Sequence, residues 1–311
     1  MKKFFIGLAI TLLSVIILPP IWFVIFPETP RLLPEPGEKI EVTPGVSLNV
    51  LDTGAGKPVV LVHGLPGSAY DWRNLAPELE SGGFRVIAYD RVGYGHSGTR
   101  PGSDYSLRSN TLDLLALLEA LDLWDVTIVG WSYGGAMAMQ AVGIDGQRIG
   151  RLVLVGTGGP SSDEDEPPEP SLIIKILYSN PVLRWRAAVP PVSRGLQTVL
   201  SDMAFSGGGQ PAWWLRDLAA NFSRWQTVTT YKSEILSEIE PAGISPATIA
   251  VPTLIIHAED DQLAPVEIGR YLSRIIPDVI YHEVPGASHM LPVTHATFLA
   301  GKMKEFINQA D

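Results

Sequence analysis

The chain has 311 residues, 46% hydrophobic and 18% charged, with 23 Lys and Arg against 33 Asp and Glu, a formal net charge of −10. A chain this apolar is not intrinsically disordered, because it can bury enough surface to offset the entropy lost on ordering. Its acidity argues against a nucleic-acid partner, whose phosphates need clustered Lys and Arg. The absence of cysteine removes thiol nucleophiles, disulfide frameworks and Cys-ligated zinc together, and leaves the compartment open.

Met1-Lys2-Lys3 precedes a run from Phe4 to Phe26 that carries no charge. As a helix rising about 1.5 Å per residue the run is ~35 Å long, sufficient for a hydrocarbon core of about 30 Å. A cleaved signal peptide opens in the same way. This run is longer than an ordinary signal core, however, and ends in bulky Ile21-Trp22-Phe23-Val24-Ile25-Phe26 with no small-residue cleavage site. Pro19-Pro20 interrupts helical hydrogen bonding within it. The sequence predicts an uncleaved single-pass transmembrane anchor over 1–27, with Lys2 and Lys3 cytoplasmic and the remainder on the periplasmic or extracellular side; with cleavage the chain would be secreted. Pro27, Pro30, Pro34 and Pro36 make a stiff spacer over 28–38.

From Lys39 onward, short β-branched runs alternate with longer amphipathic ones, the pattern of an α/β protein with a mostly parallel central sheet and helices on both faces. Val46–Asp52 and Val59–His63 read as strands, followed by a helix near Asp71–Glu80, a strand over Phe84–Tyr89 and a helix over Ser106–Leu123. In that helix Leu114, Leu115, Leu117, Leu118 and Leu121 mark the buried stripe. Val126–Val129 is a continuous apolar strand, as expected for one covered on both faces. A helix over Tyr133–Val142, strands at Leu152–Val155 and Thr253–His257, a helix near Val266–Ile276, a strand over Val279–Glu283 and a last helix around Thr294–Asn308 complete the series. The alternation lapses between Gly156 and Pro252, where an acidic, Pro-rich stretch (Ser161 to Pro170) reads as a solvated loop. Segments carrying Trp185, Trp213, Trp214 and Trp225 follow it. The simplest reading is a helical cap over 160–246 inserted into a core formed by 39–159 and 247–311.

Gly130-Trp131-Ser132-Tyr133-Gly134 fits Gly-x-Ser-x-Gly and lies between a predicted strand and a predicted helix, the context this motif requires. Upstream stand His63-Gly64-Leu65-Pro66-Gly67-Ser68 and Asp90-Arg91-Val92-Gly93-Tyr94-Gly95-His96-Ser97. Downstream stand Asp261-Gln262-Leu263-Ala264-Pro265 and Gly286-Ala287-Ser288-His289. With these segments the chain resembles the α/β-hydrolase superfamily from about Lys39 to its end. The resemblance implies an α/β-hydrolase fold, with the first segment as the oxyanion loop, Asp-x-x-Gly-x-Gly-x-Ser after the next strand, then the acid loop and the histidine loop.

A serine hydroxyl needs a base to remove its proton as it attacks, and the base needs an acid to hold its tautomer. The order Ser132, Asp261, His289 is the chain order of this fold, giving nucleophile, acid and base. The family pattern further implies an oxyanion hole from the backbone amides of Leu65 and Tyr133. Asp260 stays open as the acid, with Asp261 favoured by its spacing to Pro265. His295 falls inside a predicted helix and reads as a surface or packing residue. His63 and His96 read as structural hydrogen-bonding residues, and His257 and His282 as strand-end residues without catalytic duty. No ligand spacing implies a metal, and no cofactor is expected.

Ser132 disfavours the epoxide hydrolase and haloalkane dehalogenase branches, which the chain resembles around His63-Gly64-Leu65-Pro66 but which use aspartate as nucleophile. The aromatic cap suggests a small-molecule carboxylic ester with a small to medium hydrophobic group, cleaved through an acyl-enzyme. The alternatives are an amidase, lactonase, carbon–carbon hydrolase or cofactor-free perhydrolase with the same three residues, and a non-catalytic ligand-binding protein on this scaffold.

Overall fold

A computed structural model of the protein describes residues 37–102, 104–159, 201–206, 209–222, 227, 230, 231, 234 and 244–309. Its strands are β1 (Glu38–Thr43), β2 (Val46–Gly54), β3 (Lys57–Val62), β4 (Phe84–Asp90), β5 (Val126–Trp131), β6 (Ile149–Val155), β7 (Thr253–Ala258) and β8 (Val279–Val284). They form one eight-stranded sheet in the order β1-β2-β4-β3-β5-β6-β7-β8. β2 runs antiparallel to both of its neighbours, and the remaining pairs are parallel.

Parallel strands need crossovers, and the crossovers are helices that cover both faces. The crossovers are α1 (Ala76–Ser81), α2 (Leu107–Ala120), α3 (Tyr133–Asp145) and α5 (Val266–Ile275); α4 (Ala212–Phe222) lies in the insertion between β6 and β7, and α6 (Leu291–Thr294) and α7 (Ala296–Gln309) follow β8. Because side chains alternate along a strand, β3 sends Val59 and Leu61 into a core shared with Leu79 of α1 and Leu299, Met303 and Phe306 of α7. Val60 and Val62 enter the opposite core with Leu114, Leu117 and Leu118 of α2, Met137 of α3 and Leu272 of α5.

The predicted alternation is present, with local differences. Residues 38–43 pair as β1, an antiparallel edge strand none of whose residues is fully buried, which hides it from a search for apolar runs. The helix expected over Asp71–Glu80 is a 3-10 turn, Ala69–Trp72, followed by α1 with Pro77 in its first turn. Proline is tolerated at a helix start and not in an interior, so the helix restarts there. Leu115 and Leu121 are only partly buried beside the buried Leu114, Leu117 and Leu118. The last helix divides at His295, which caps α6.

Among the described residues of the insertion, 201–204 and α4 are helical. Phe205 and Trp214 meet edge to face with centroids 5.0 Å apart. With Leu218 they belong to the same apolar cluster as Met290, Leu291 and Val293. Trp214 is therefore a packing residue, whereas Trp213 stacks on the Arg73 guanidinium. The anchor expected over 1–27, most of the spacer, the acidic loop, Trp185 and Trp225 lie outside the described residues. No helix among the described residues is long and apolar enough to cross a membrane.

Leu61 is fully buried in the middle of the sheet. Leu61→Ala should lower stability by about 2–5 kcal/mol through lost burial and the cavity left behind, read as a drop in the urea midpoint at unchanged slope.

Candidate active site

β5 ends at Trp131 and α3 begins at Tyr133, so the whole reversal from strand to helix falls on Ser132. Its backbone takes φ 55° and ψ −122°, a region that an L residue enters at a cost of about 1–3 kcal/mol and keeps only when its surroundings enforce it. The enforcement is close backbone packing. A Cβ on Gly134 would stand 2.2 Å from the Val62 carbonyl oxygen, and one on Gly130 would stand 2.4 Å from that of Gly134. The Ser132 N–H donates to the Val155 carbonyl at 3.0 Å, tying the turn to the end of β6.

Asp261 and His289 follow β7 and β8 at the same end of the sheet. His289 Nδ1 lies 2.7 Å from Asp261 Oδ2. Asp261 Oδ1 accepts the Leu263 and Ala264 amides at 2.9 and 2.8 Å, which fixes the carboxylate plane. Both side chains are buried, whereas the neighbouring Asp260 is exposed, so Asp261 is the acid that meets the histidine. Trp131 Nε1 donates to the His289 carbonyl at 3.1 Å, linking the histidine loop to the residue before Ser132. A Cβ on Gly156, just beyond β6, would sit 3.3 Å from Asp261 Oδ2 and 3.6 Å from His289 Nδ1. No hydrogen bond joins Ser132 Oγ to His289 among the described residues; such contacts are often long without substrate and tighten when it binds.

The loop after β3 lies against the serine, since a Cβ on Gly64 would be 3.0 Å from Ser132 Cβ. His63 Nε2 accepts the Arg91 amide at 3.0 Å. Its Nδ1 therefore carries the proton and donates to the Gly64 carbonyl at 2.9 Å. Burial, with Arg91 nearby, pushes the imidazole pKa well down, consistent with this neutral tautomer. Arg91 Nη2 donates to the same Gly64 carbonyl at 2.9 Å, its Nη1 pairs with Glu234 of the insertion, and its guanidinium covers the rings of Tyr94 and Tyr133. Glu234 also accepts from Tyr94 Oη and from Asn110 Nδ2. Sequence reasoning passed over Arg91 and Glu234. The available signal was a charged residue between the strand-end Asp90 and Val92, matched by a carboxylate at helical spacing from Thr227, Thr230 and Tyr231.

The remaining histidines have other partners. His257 is buried, with Nε2 2.8 Å from the Ala264 carbonyl and 3.9 Å from Asp261 Oδ2; burial lowers its pKa, so it stays neutral behind the acid loop. His96 serves through its amide, which donates to Asp90 at 2.6 Å. His295 meets Thr294 at 2.9 Å, and His282 is partly buried on β8. Among the described residues no three His, Asp or Glu side chains gather as a metal site.

A second group of buried carboxylates flanks the loop. Asp71 accepts the Ser68 amide at 2.9 Å, and the Ser68 hydroxyl donates to Asp217 of α4 at 3.2 Å. Burial, then the Asp217 charge, pushes the Asp71 carboxyl well above the usual carboxylate range, with Asp90 adding to the rise and the Ser68 amide and Arg91 opposing it.

Residues 57–296 match the family described as alpha/beta hydrolase fold, and the chain belongs to that family of hydrolytic enzymes. It is 30% identical over 278 residues to non-heme chloroperoxidase CPO-A1 of Kitasatospora aureofaciens, covering 85% of this chain and 97% of that one. It is 29% identical over 289 residues to a 2-hydroxy-6-oxo-2,4-heptadienoate hydrolase of Pseudomonas putida, covering 86% and 95%. The esterase EaEST from Exiguobacterium antarcticum shares the fold with a TM-score of 0.74 at 22% identity, covering 88% of this chain and 99% of that one.

A carboxyl raised in the folded state binds its proton more tightly there than in the unfolded chain. Its contribution is therefore most favourable below about pH 4 and declines as pH rises through the folded value. Asp71→Asn keeps an acceptor for the Ser68 amide without the charge. Between pH 4 and pH 8 the urea midpoint of the native chain should fall relative to that of the variant; parallel curves would contradict this account.

Proposed function

We propose that the protein is a serine hydrolase that cleaves carboxylic esters of small to medium hydrophobic substrates through an acyl-enzyme. The observation that carries this reading is the buried Asp261–His289 pair, joined at 2.7 Å, at the sheet end where Ser132 occupies its positive-φ turn. With Nδ1 protonated toward Asp261, His289 presents Nε2 as the base. It takes the Ser132 proton as Oγ attacks the ester carbonyl, then returns it to the leaving alkoxide. Asp261 holds the ring and stabilises the imidazolium. The tetrahedral oxyanion is received by the N–H of Tyr133, which opens α3, and the N–H of Leu65, each a donor whose loss typically lowers turnover by ~10²–10³. Water then repeats the cycle on the acyl-Ser132.

The similarity to a 2-hydroxy-6-oxo-2,4-heptadienoate hydrolase and to a non-heme chloroperoxidase supports a second reading, carbon–carbon hydrolysis or perhydrolysis by the same three residues. The apolar run from Phe4 to Phe26 supports a membrane-held enzyme with its catalytic part on the non-cytoplasmic side.

The full chain should hydrolyse p-nitrophenyl esters with an optimum at short to medium acyl length. Ser132→Ala should reduce hydrolysis to background, and Asp261→Asn should lower kcat by about 10⁴. Faster turnover of a vinylogous 1,5-diketone than of any ester would favour the second reading, and ligand binding without turnover would end both. In cells, the chain should stay with membranes after alkaline carbonate extraction; release into the supernatant would remove the anchor.

A further inference from the structure

Residues 227, 230, 231 and 234 are helical and all buried, the i, i+3, i+4, i+7 positions of one helix face. Thr227 donates to the Gly93 carbonyl at 3.0 Å, and Glu234 closes the series by pairing with Arg91, where both side chains are essentially unexposed. A buried ion pair is not by itself a stability device, since desolvating two charges can outweigh their attraction. This pair has another consequence. One arm of the Arg91 fork holds Glu234 while the other donates to the Gly64 carbonyl at 2.9 Å, beside the second donor from His63 at 2.9 Å. The Gly64–Leu65 peptide is trans, so its C=O and N–H point in opposite directions within one rigid plane. Whatever fixes the Gly64 oxygen therefore fixes the direction of the Leu65 N–H.

We propose that Glu234 is a positioning residue: docked from the insertion, it sets the Arg91 fork, which clamps the Gly64 carbonyl and aims the Leu65 N–H at the developing oxyanion. The same guanidinium lies 4.6 Å from the Tyr133 ring centroid, and Asn110 bridges Glu234 and Tyr133 Oη at 2.8 and 3.2 Å. Both residues assigned to the hole are thus held by one clasp. The proposal rests on the reading of Ser132 as nucleophile and of Leu65 N–H as a donor.

The test uses the full chain and an alkyl fluorophosphonate, which phosphonylates an activated serine with loss of fluoride and so reports the hole whatever the natural substrate. Ester kinetics run alongside. Glu234→Gln keeps the size of the side chain without its charge, and Arg91→Lys keeps the charge without the fork. Each should slow labelling of Ser132 and lower kcat about tenfold or more, with KM within about twofold. Thr227→Val removes a contact between the insertion and the core that bypasses Arg91, and should leave both rates within about threefold. A tetrahedral boronic acid adduct should weaken in proportion to kcat in the Glu234 and Arg91 variants. Unchanged labelling in Glu234→Gln, or an equal loss in Thr227→Val, would overturn the proposal. Failure of the unaltered chain to label would instead remove the nucleophile reading, and the clasp with it.

Discussion

At the end of β5 the chain passes from strand to helix across Ser132 alone, and the loops that carry the oxyanion donor, the acid and the histidine are packed around that reversal. The strained φ of 55° persists because α3, β3 and β5 meet at backbone distance, with Gly130 and Gly134 supplying the absence of side chains that such an approach needs. Strand β3 delivers the Gly64 loop against Ser132 on one side, while β6, hydrogen-bonded to the Ser132 amide, leads to Gly156 beside the acid and the histidine on the other. β3 and β5 are adjacent, yet the chain leaves β3 toward β4 and β5 toward β6. The site therefore occupies the crevice where strand order reverses, the usual place for ligands in open α/β sheets.

Around this turn the motif residues divide into those that do chemistry and those that hold loops still. Asp90 does not face the serine. Its carboxylate accepts the amides of Ala69 and His96 and the Asn49 side chain, and Ser97 bridges the Asp90 carbonyl and the Asn49 amide. A Cβ on Gly95 would collide with that carboxylate at 1.8 Å. The Asp-x-x-Gly-x-Gly-x-Ser segment is thus a folded scaffold whose product is the placement of Arg91. Arg91 in turn ties a core loop to the insertion. The insertion also reaches that loop through Ser68 and Asp217, so its seating is written into polar contacts as well as into the apolar cluster around Trp214.

Much of this was legible because the physics is local. Leu114, Leu117 and Leu118 repeat at helical spacing and are buried for that reason. Val59 through Val62 form an unbroken apolar run because both faces of β3 are covered. The glycines around Ser132 announce a tight turn whatever surrounds it. Where burial does not write the pattern, the reading failed: β1 is an edge strand whose identity comes from its pairing with β2, and the break between the 3-10 turn and α1 depends on where Ser68 and Pro77 set helix starts. Asp71 shows the same limit. Nothing beside it in the sequence marks it as buried, and the Asp217 charge that helps to raise its carboxyl arrives on α4.

Residue types at fixed local spacing carried the alternating α/β order and the tight turn at Ser132, and the resemblance to the α/β hydrolases implied the pairing of an acid after β7 with a histidine after β8. Tertiary structure alone decided between Asp260 and Asp261, since adjacent residues point opposite ways and only one reaches His289. It also decided the His63 tautomer, and it brought Glu234 to Arg91 across 143 residues of chain. Contacts at such separation depend on how the insertion docks onto the sheet, and no local pattern of residues encodes the geometry of that docking.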